Sequence, residues 1–147
     1  MNFKQFFLLE SAQKIQNGME YKQYTPSGKV EEWTKESYDI DKDIWVDNDH
    51  FVHRDKKPAK IYYIPMYDSN HKKYRVVTMK VWYNHGKLHR LKGPAVIVYS
   101  HGGQHLSDQD SYAINNKRMT KEEHAKYFDG VDPEHRKDLA DMNGGFE

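Results

Sequence analysis

Nine histidines are the first residues in this sequence with the means to do chemistry, and six of them fall between residues 51 and 107: His53, His71, His85, His89, His101 and His105. His101-Gly102-Gly103-Gln104-His105 is the most site-like stretch. Two imidazoles around a flexible glycine pair suit metal ligation, provided a third ligand and orienting groups join them. His85 and His89 flank a turn and could add one. A plainer role competes with this one. His53 and His89 stand at matched positions of a repeat, where bonding to turn backbone explains them, while His101 and His105 lie in a polar loop. His101 and His105 are therefore the metal candidates, and no cofactor is expected. The chain has no cysteine, which excludes disulfides, thiolate nucleophiles and Cys-based zinc sites. It contains no G-x-S-x-G, no P-loop and no dinucleotide fingerprint. Between residues 51 and 107 the only carboxylates are Asp55 and Asp68, so an acid/base pair there would need one of them or a histidine. These features predict a protein that is not an enzyme.

Charge carries a clearer signal. The 147 residues hold 23 Lys+Arg and 22 Asp+Glu, but the two signs are segregated. Residues 1–50 sum to −4, residues 51–107 to +9 and residues 108–147 to −4. In the basic middle, cations such as Arg54, Lys56, Lys57, Arg75, Lys87, Arg90 and Lys92 alternate with rings such as Trp82 and Tyr83. Cations among aromatics on a β surface suit phosphate contact with base stacking, and suit an acidic protein equally. Those nine residues are the candidate binding set. Arg54, Lys56, Lys57, Arg90 and Lys92 lead it, because the repeat puts them at equivalent corners. The competing expectation is that the charges are solvated or pair with the acidic ends.

The elements that must position these groups read as mainly β (α+β). Aromatics make up 14% of a chain that is only 37% apolar, which fits thin sheets whose Tyr and Trp bury a face and keep a wet tip. No run approaches a membrane span, and no secretory signal is evident. Residues 2–17 read as a helix that stops at Asn17-Gly18. A hairpin turns at Pro26-Ser27-Gly28, and residues 34–49 read as acidic loop around a short strand at Ile44-Trp45-Val46. Strands follow over 58–64, 74–83, 94–100 and 112–114. The second alternates, with Val77, Met79, Val81 and Tyr83 on one side and Tyr74, Val76, Thr78, Lys80 and Trp82 on the other. Thr120-Lys121-Glu122-Glu123 is a capping box opening a helix to about Phe128, and Asp132-Pro133 starts a second short helix. The division is 1–18 helix or leader, 19–119 repeat domain and 120–147 capping helices and tail.

The repeat is internal. His53-Arg54-Asp55-Lys56-Lys57-Pro58-Ala59-Lys60-Ile61-Tyr62-Tyr63 matches His89-Arg90-Leu91-Lys92-Gly93-Pro94-Ala95-Val96-Ile97-Val98-Tyr99 at seven of eleven positions. Trp45 matches Trp82 if one residue is inserted. A degenerate third copy runs from Tyr112 to Arg118, with Asn116 in place of the turn residue Gly86. Trp82-Tyr83-Asn84-His85-Gly86-Lys87-Leu88-His89-Arg90-Leu91-Lys92-Gly93-Pro94-Ala95 resembles the MORN-like W-Y-x-N-G-K-x-H-R-x-x-G-P-A β-hairpin repeats of large tailed phages and giant viruses. It departs from them by an extra residue at His85, and the first copy has Lys57 where the pattern has Gly. The resemblance covers about half the chain and implies an antiparallel β-hairpin repeat meander.

The N-terminal stretch from Asn2 to Ala12 is similar to the capsid-targeting leaders of myovirus internal head proteins, which are cut after a Glu; Glu10 and Ser11 would flank the cut. Together the two resemblances imply a phage-encoded, non-enzymatic binding protein, packaged in the head or not. Its partner would be DNA, or a host nuclease or defence complex occluded by the sheet, with the prohead scaffold as a further partner and no membrane. Its place would be the host cytoplasm or the virion interior. The alternatives are a structural virion accessory protein, an unpackaged inhibitor of a host immune enzyme, and a His- or metal-dependent nuclease or nucleotide hydrolase.

Overall fold

The structure is a computed structural model that describes residues 12–15, 20–25, 27–34 and 41–129. The leader with Glu10 and Ser11, and the second C-terminal helix at Asp132, lie outside these residues. The protein is mainly β. Among the described residues eleven strands run in order: β1 (Gln13–Lys14), β2 (Tyr21–Tyr24), β3 (Val30–Thr34), β4 (Asp41–Val46), β5 (Lys60–Tyr67), β6 (Lys73–Val81), β7 (Tyr83–Asn84), β8 (Lys87–Leu88), β9 (Val96–Val98), β10 (Tyr112–Ile114) and β11 (Lys117–Met119). One α-helix, α1 (Lys121–Asp129), closes the described chain. Its capping box forms as the sequence predicts: the Glu123 N–H donates to Thr120 Oγ1, and the Thr120 N–H to Glu123 Oε1.

Five strands make one antiparallel sheet in the order β1-β4-β5-β6-β9. Where described, the N-terminal segment is extended rather than helical. Gln13 and Lys14 pair with Val46 and Trp45, so the expected helix over 2–17 does not hold at 12–15. The acidic stretch also hides more strand than expected. β4 starts at Asp41 because its carboxylates alternate with Lys42, Ile44 and Val46, which are buried.

Three hairpins project from the sheet end and stack tip against tip. They turn at Asp47–Phe51, Asn84–Lys87 and Ile114–Lys117. The Gly86 N–H donates to the Val52 carbonyl at 2.7 Å, and the Asn116 N–H to the Leu88 carbonyl at 2.7 Å. The second and third tips are two-residue turns with positive φ at both central residues, His85 and Gly86, then Asn115 and Asn116. β2 runs across all three. The Lys22 N–H bonds the His50 carbonyl, the Tyr24 N–H the Gly86 carbonyl, and Asn116 Nδ2 the Thr25 carbonyl. Two core clusters result. Tyr21, Ile44, Val46, Val52 and Ala59 form one, and Val81, Leu88, Ala95 and Ala113 the other.

Candidate binding face

Residues opposite each other in paired strands share a face. Asp41 and Asp43 lie opposite Tyr63 and Ile61, and Lys14 opposite Trp45. Ile61, Pro65 and Tyr67 lie opposite Lys80, Arg75 and Lys73. One residue makes this possible. Tyr62 faces Met79 but Tyr63 faces Val77, so Thr78 is extra and forms a bulge. The expected alternation across 74–83 therefore breaks at Thr78. Lys80 would otherwise point away from Arg75 and Lys73, and instead the three share a face. The opposite face carries Lys42, Ile44, Val46 and Lys60, and β2 covers it. Lys60 Nζ donates to Tyr21 Oη and Gln23 Oε1 at 3.1 and 2.9 Å.

Cations on the open face lie over rings. The guanidinium of Arg54 is 3.7 Å from the Trp45 ring centre, that of Arg90 3.9 Å from Trp82, and that of Arg75 3.5 Å from Tyr63. Lys80 Nζ lies 5.5 Å from Tyr99 and Lys14 Nζ 6.0 Å from Trp45. Among the described residues, the cations Lys14, Arg54, Lys73, Arg75, Lys80 and Arg90 thus gather on the face that carries the carboxylates Asp41 and Asp43. Arg75 grips Asp41 through two hydrogen bonds of 2.9 and 3.0 Å and reaches Asp43 at 3.3 Å. Its affinity for its proton rises chiefly through the Asp41 bonds. Burial alone would raise Asp43, but bonds from Lys14 and Tyr63 and the nearby charge of Arg75 outweigh it and hold its pKa low. Tyr63 is pushed up by burial and by its bond to Asp43.

The structure sorts the nine candidate binding residues. Arg54 and Arg90 stack on tryptophans and donate to the Pro58 and Pro94 carbonyls at 3.4 and 3.3 Å, equivalent contacts in the two repeats. Trp82 is buried under Arg90, and Tyr83 packs between the two core clusters. Lys56, Lys57 and Lys92 are exposed at the two corner loops, and Lys87 is exposed at the second tip with Nζ 5.3 Å from the Tyr24 ring. Arg75 lies on the open face. Lys73, Lys80, Tyr63 and Tyr67 belong to the basic, ring-rich middle of the sequence, but only the register gathers them on one face and adds Lys14, which lies outside that middle.

The histidines split likewise. The His85 N–H donates to His53 Nδ1 at 3.1 Å, and the Asn115 N–H to His89 Nδ1 at 2.9 Å. Each repeat histidine therefore caps the next hairpin tip, the backbone role that the repeat suggests. The Nδ1 of each accepts, so its proton sits on Nε2. His53 Nε2–H finds Asp55 Oδ1 at 3.1 Å; Leu91 stands at the matching position of the second repeat, and His89 Nε2 is buried without a hydrogen-bond partner among the described residues. Burial, then the neighbouring His124, depresses the His89 pKa to about 4. Burial and the stacked His85 ring, 3.8 Å away, lower His53, with Asp55 and Asp47 opposing. His85 Nδ1 donates to Asp47 Oδ2 at 2.6 Å.

The metal candidates lie on the loop after β9. Ser100–Gln104 is a three-residue turn in which Gly103 takes the left-handed position, at φ +86°. His101 is exposed, and His105 Nε2 donates to both oxygens of Asp110 at 2.9 and 3.1 Å. Among the described residues no three His, Asp or Glu side chains are placed to hold a metal ion. No described helix is long and apolar enough to cross a membrane. Comparison with protein families, curated proteins and solved structures finds no match to this chain.

Proposed function

We propose that this chain is a non-enzymatic binding protein that engages an anionic macromolecule through the open face of its five-stranded sheet. In the setting implied by its repeat and leader, it is a phage protein that works by occlusion. The observation that carries this is the gathering of Lys14, Arg54, Lys73, Arg75, Lys80 and Arg90 on one face among the described residues, with the guanidinium carbons of Arg54, Arg75 and Arg90 3.7, 3.5 and 3.9 Å from a ring centre. A cation pre-positioned on a ring loses little freedom on meeting a carboxylate or phosphate. Two histidine–carboxylate contacts support binding over catalysis, since each ties down a loop: His53 to Asp55 and His105 to Asp110.

The test is a pull-down from infected cells with mass spectrometry, alongside gel shifts with single- and double-stranded DNA at rising salt. Binding should weaken steeply with salt and drop at least about tenfold when Lys73 and Lys80 are changed to Glu. Salt-insensitive binding, or no effect of those changes, would overturn the assignment to this face.

A second reading has one observation behind it. Asp47 orients the ring of His85, whose side chain is 61% exposed, as a carboxylate orients a general base. Cleavage of DNA, RNA or a cyclic nucleotide that vanishes in His85→Ala would move the assignment to a hydrolase.

A further inference from the structure

We infer that the outer edge of β6, from Lys73 to Val77, accepts an extended acidic segment of a partner protein as an added strand. The inference rests on the binding role proposed above and names the class of its partner.

β9 pairs with β6 only from Met79 to Val81, and the last bond on that side runs from the Tyr99 N–H to the Thr78 carbonyl. Among the described residues, no strand continues along Lys73–Val77 there. Hydrogen-bonded and non-bonded pairs alternate in an antiparallel hairpin, and two facts fix their order here. The Asp68 N–H bonds the Lys72 carbonyl, so that pair is a bonded one. Counting back, Tyr67/Lys73 is non-bonded, Met66/Tyr74 bonded and Pro65/Arg75 non-bonded. Pro65, which has no N–H, falls where none is needed. The backbone N–H and C=O groups of Lys73, Arg75 and Val77 therefore point outward, an open template for another strand.

The side chains beside this edge select its occupant. Lys72, Lys73 and Arg75 are exposed, as are Tyr67 and Tyr74, at 61% and 48%. A second copy of this chain would set the same cations opposite one another, which destabilises strand pairing. A phosphate backbone has no N–H to offer the outward carbonyls. An acidic β-segment meets both requirements: it pairs with the backbone and neutralises the lysines.

The test uses the full chain and three probes: an eight-residue peptide alternating Glu and Val, its Lys/Val counterpart, and a fifteen-nucleotide thymidine strand. The readout is amide hydrogen exchange resolved by residue. Saturating Glu/Val peptide should slow exchange at Lys73, Arg75 and Val77 at least fivefold. Tyr74 and Val76, already bonded to β5, should change little. The Lys/Val peptide should not bind, and Lys72→Glu with Lys73→Glu should weaken the Glu/Val peptide at least tenfold. Peptide binding without protection at those three amides would overturn strand addition, as would equal binding of the Lys/Val peptide. Binding of the thymidine strand alone would overturn it too, while leaving the binding role standing. Failure of every probe would overturn the strand addition, and the binding role would then fall only if the infected-cell pull-down also returned no partner.

Discussion

His89 accepts the Asn115 N–H on Nδ1 at 2.9 Å, one repeat after His53 accepts the His85 N–H at 3.1 Å. The two contacts share a purpose but differ in surroundings. Asp55 satisfies the outer nitrogen of His53, whereas Leu91 gives His89 nothing. The seam between the second and third hairpins is therefore the drier and more acid-sensitive one.

The first prediction follows from His89. Its pKa is about 4 in the folded protein, against about 6.5 in an unfolded chain. Below pH 6.5 the unfolded chain takes up a proton that the folded protein refuses, so the unfolded state gains. The contribution is fully present above pH 6.5, falls steadily down to pH 4 and is flat below. The total loss is about 3 kcal/mol. Urea unfolding at pH 7, 5.5 and 4 should show this slope, and His89→Asn should flatten most of it, because Asn keeps an acceptor for the Asn115 N–H and does not titrate.

Asp55 provides the complementary test. It raises the pKa of His53, against the lowering by burial and His85. Asp55→Ala should therefore push the His53 titration further down, observable by NMR of the ring protons. The lost hydrogen bond at a half-exposed carboxylate should cost about 1 kcal/mol or less. An unchanged His53 titration would mean that the Asp55 contact is not made in solution.

How much of this was legible beforehand depends on the residue. The repeat foretold the equivalence of its two copies, and the structure gives four of the shared residues a job: His caps the next tip, Arg lies on the Trp, Pro offers its carbonyl to that Arg, and Ala returns to the sheet beside the Trp. The capping box at Thr120 and the turns at Gly28, Gly86 and Asn116 were equally local, and so readable. Asp41 and Asp43 misled because their charge reads as loop. They are tolerated in β4 because Lys14 and Arg75 stand beside them, and those partners are remote in sequence. The open face was hidden because one bulged residue, Thr78, reverses the alternation, and nothing in a periodicity count marks it.

Gly86 and Gly28 separate packing from backbone conformation. Both have positive φ, +86° and +90°. A Cβ on Gly86 would lie 2.5 Å from Phe51 Cδ1 and 3.2 Å from Tyr24 Cδ2, whereas one on Gly28 would meet nothing within 4 Å. Gly28→Ala should cost only the left-handed penalty, about 1 kcal/mol. Gly86→Ala adds a clash with the stacked Tyr24 and Phe51 rings and should cost about 3 kcal/mol, within the range of overpacked sites. Equal losses in thermal unfolding would show that the tip does not pack on those rings.

Deleting Thr78 tests the bulge itself. In a regular strand, removing one residue turns every side chain beyond it to the other face. Here the register already skips Thr78, so deletion should leave Lys73 and Arg75 facing Tyr67 and Pro65 as before. The shortened protein would lose the Tyr99 N–H to Thr78 carbonyl bond and the Thr78 Oγ1 bond to the Tyr62 carbonyl, for about 2 kcal/mol. It should keep the paired contact of Arg75 with Asp41. A double-mutant cycle on Arg75→Ala and Asp41→Ala should give the same coupling, about 1 kcal/mol, in the full-length and shortened chains. Loss of that coupling on deletion would place Arg75 on the covered face and remove the gathered cations on which the binding role depends.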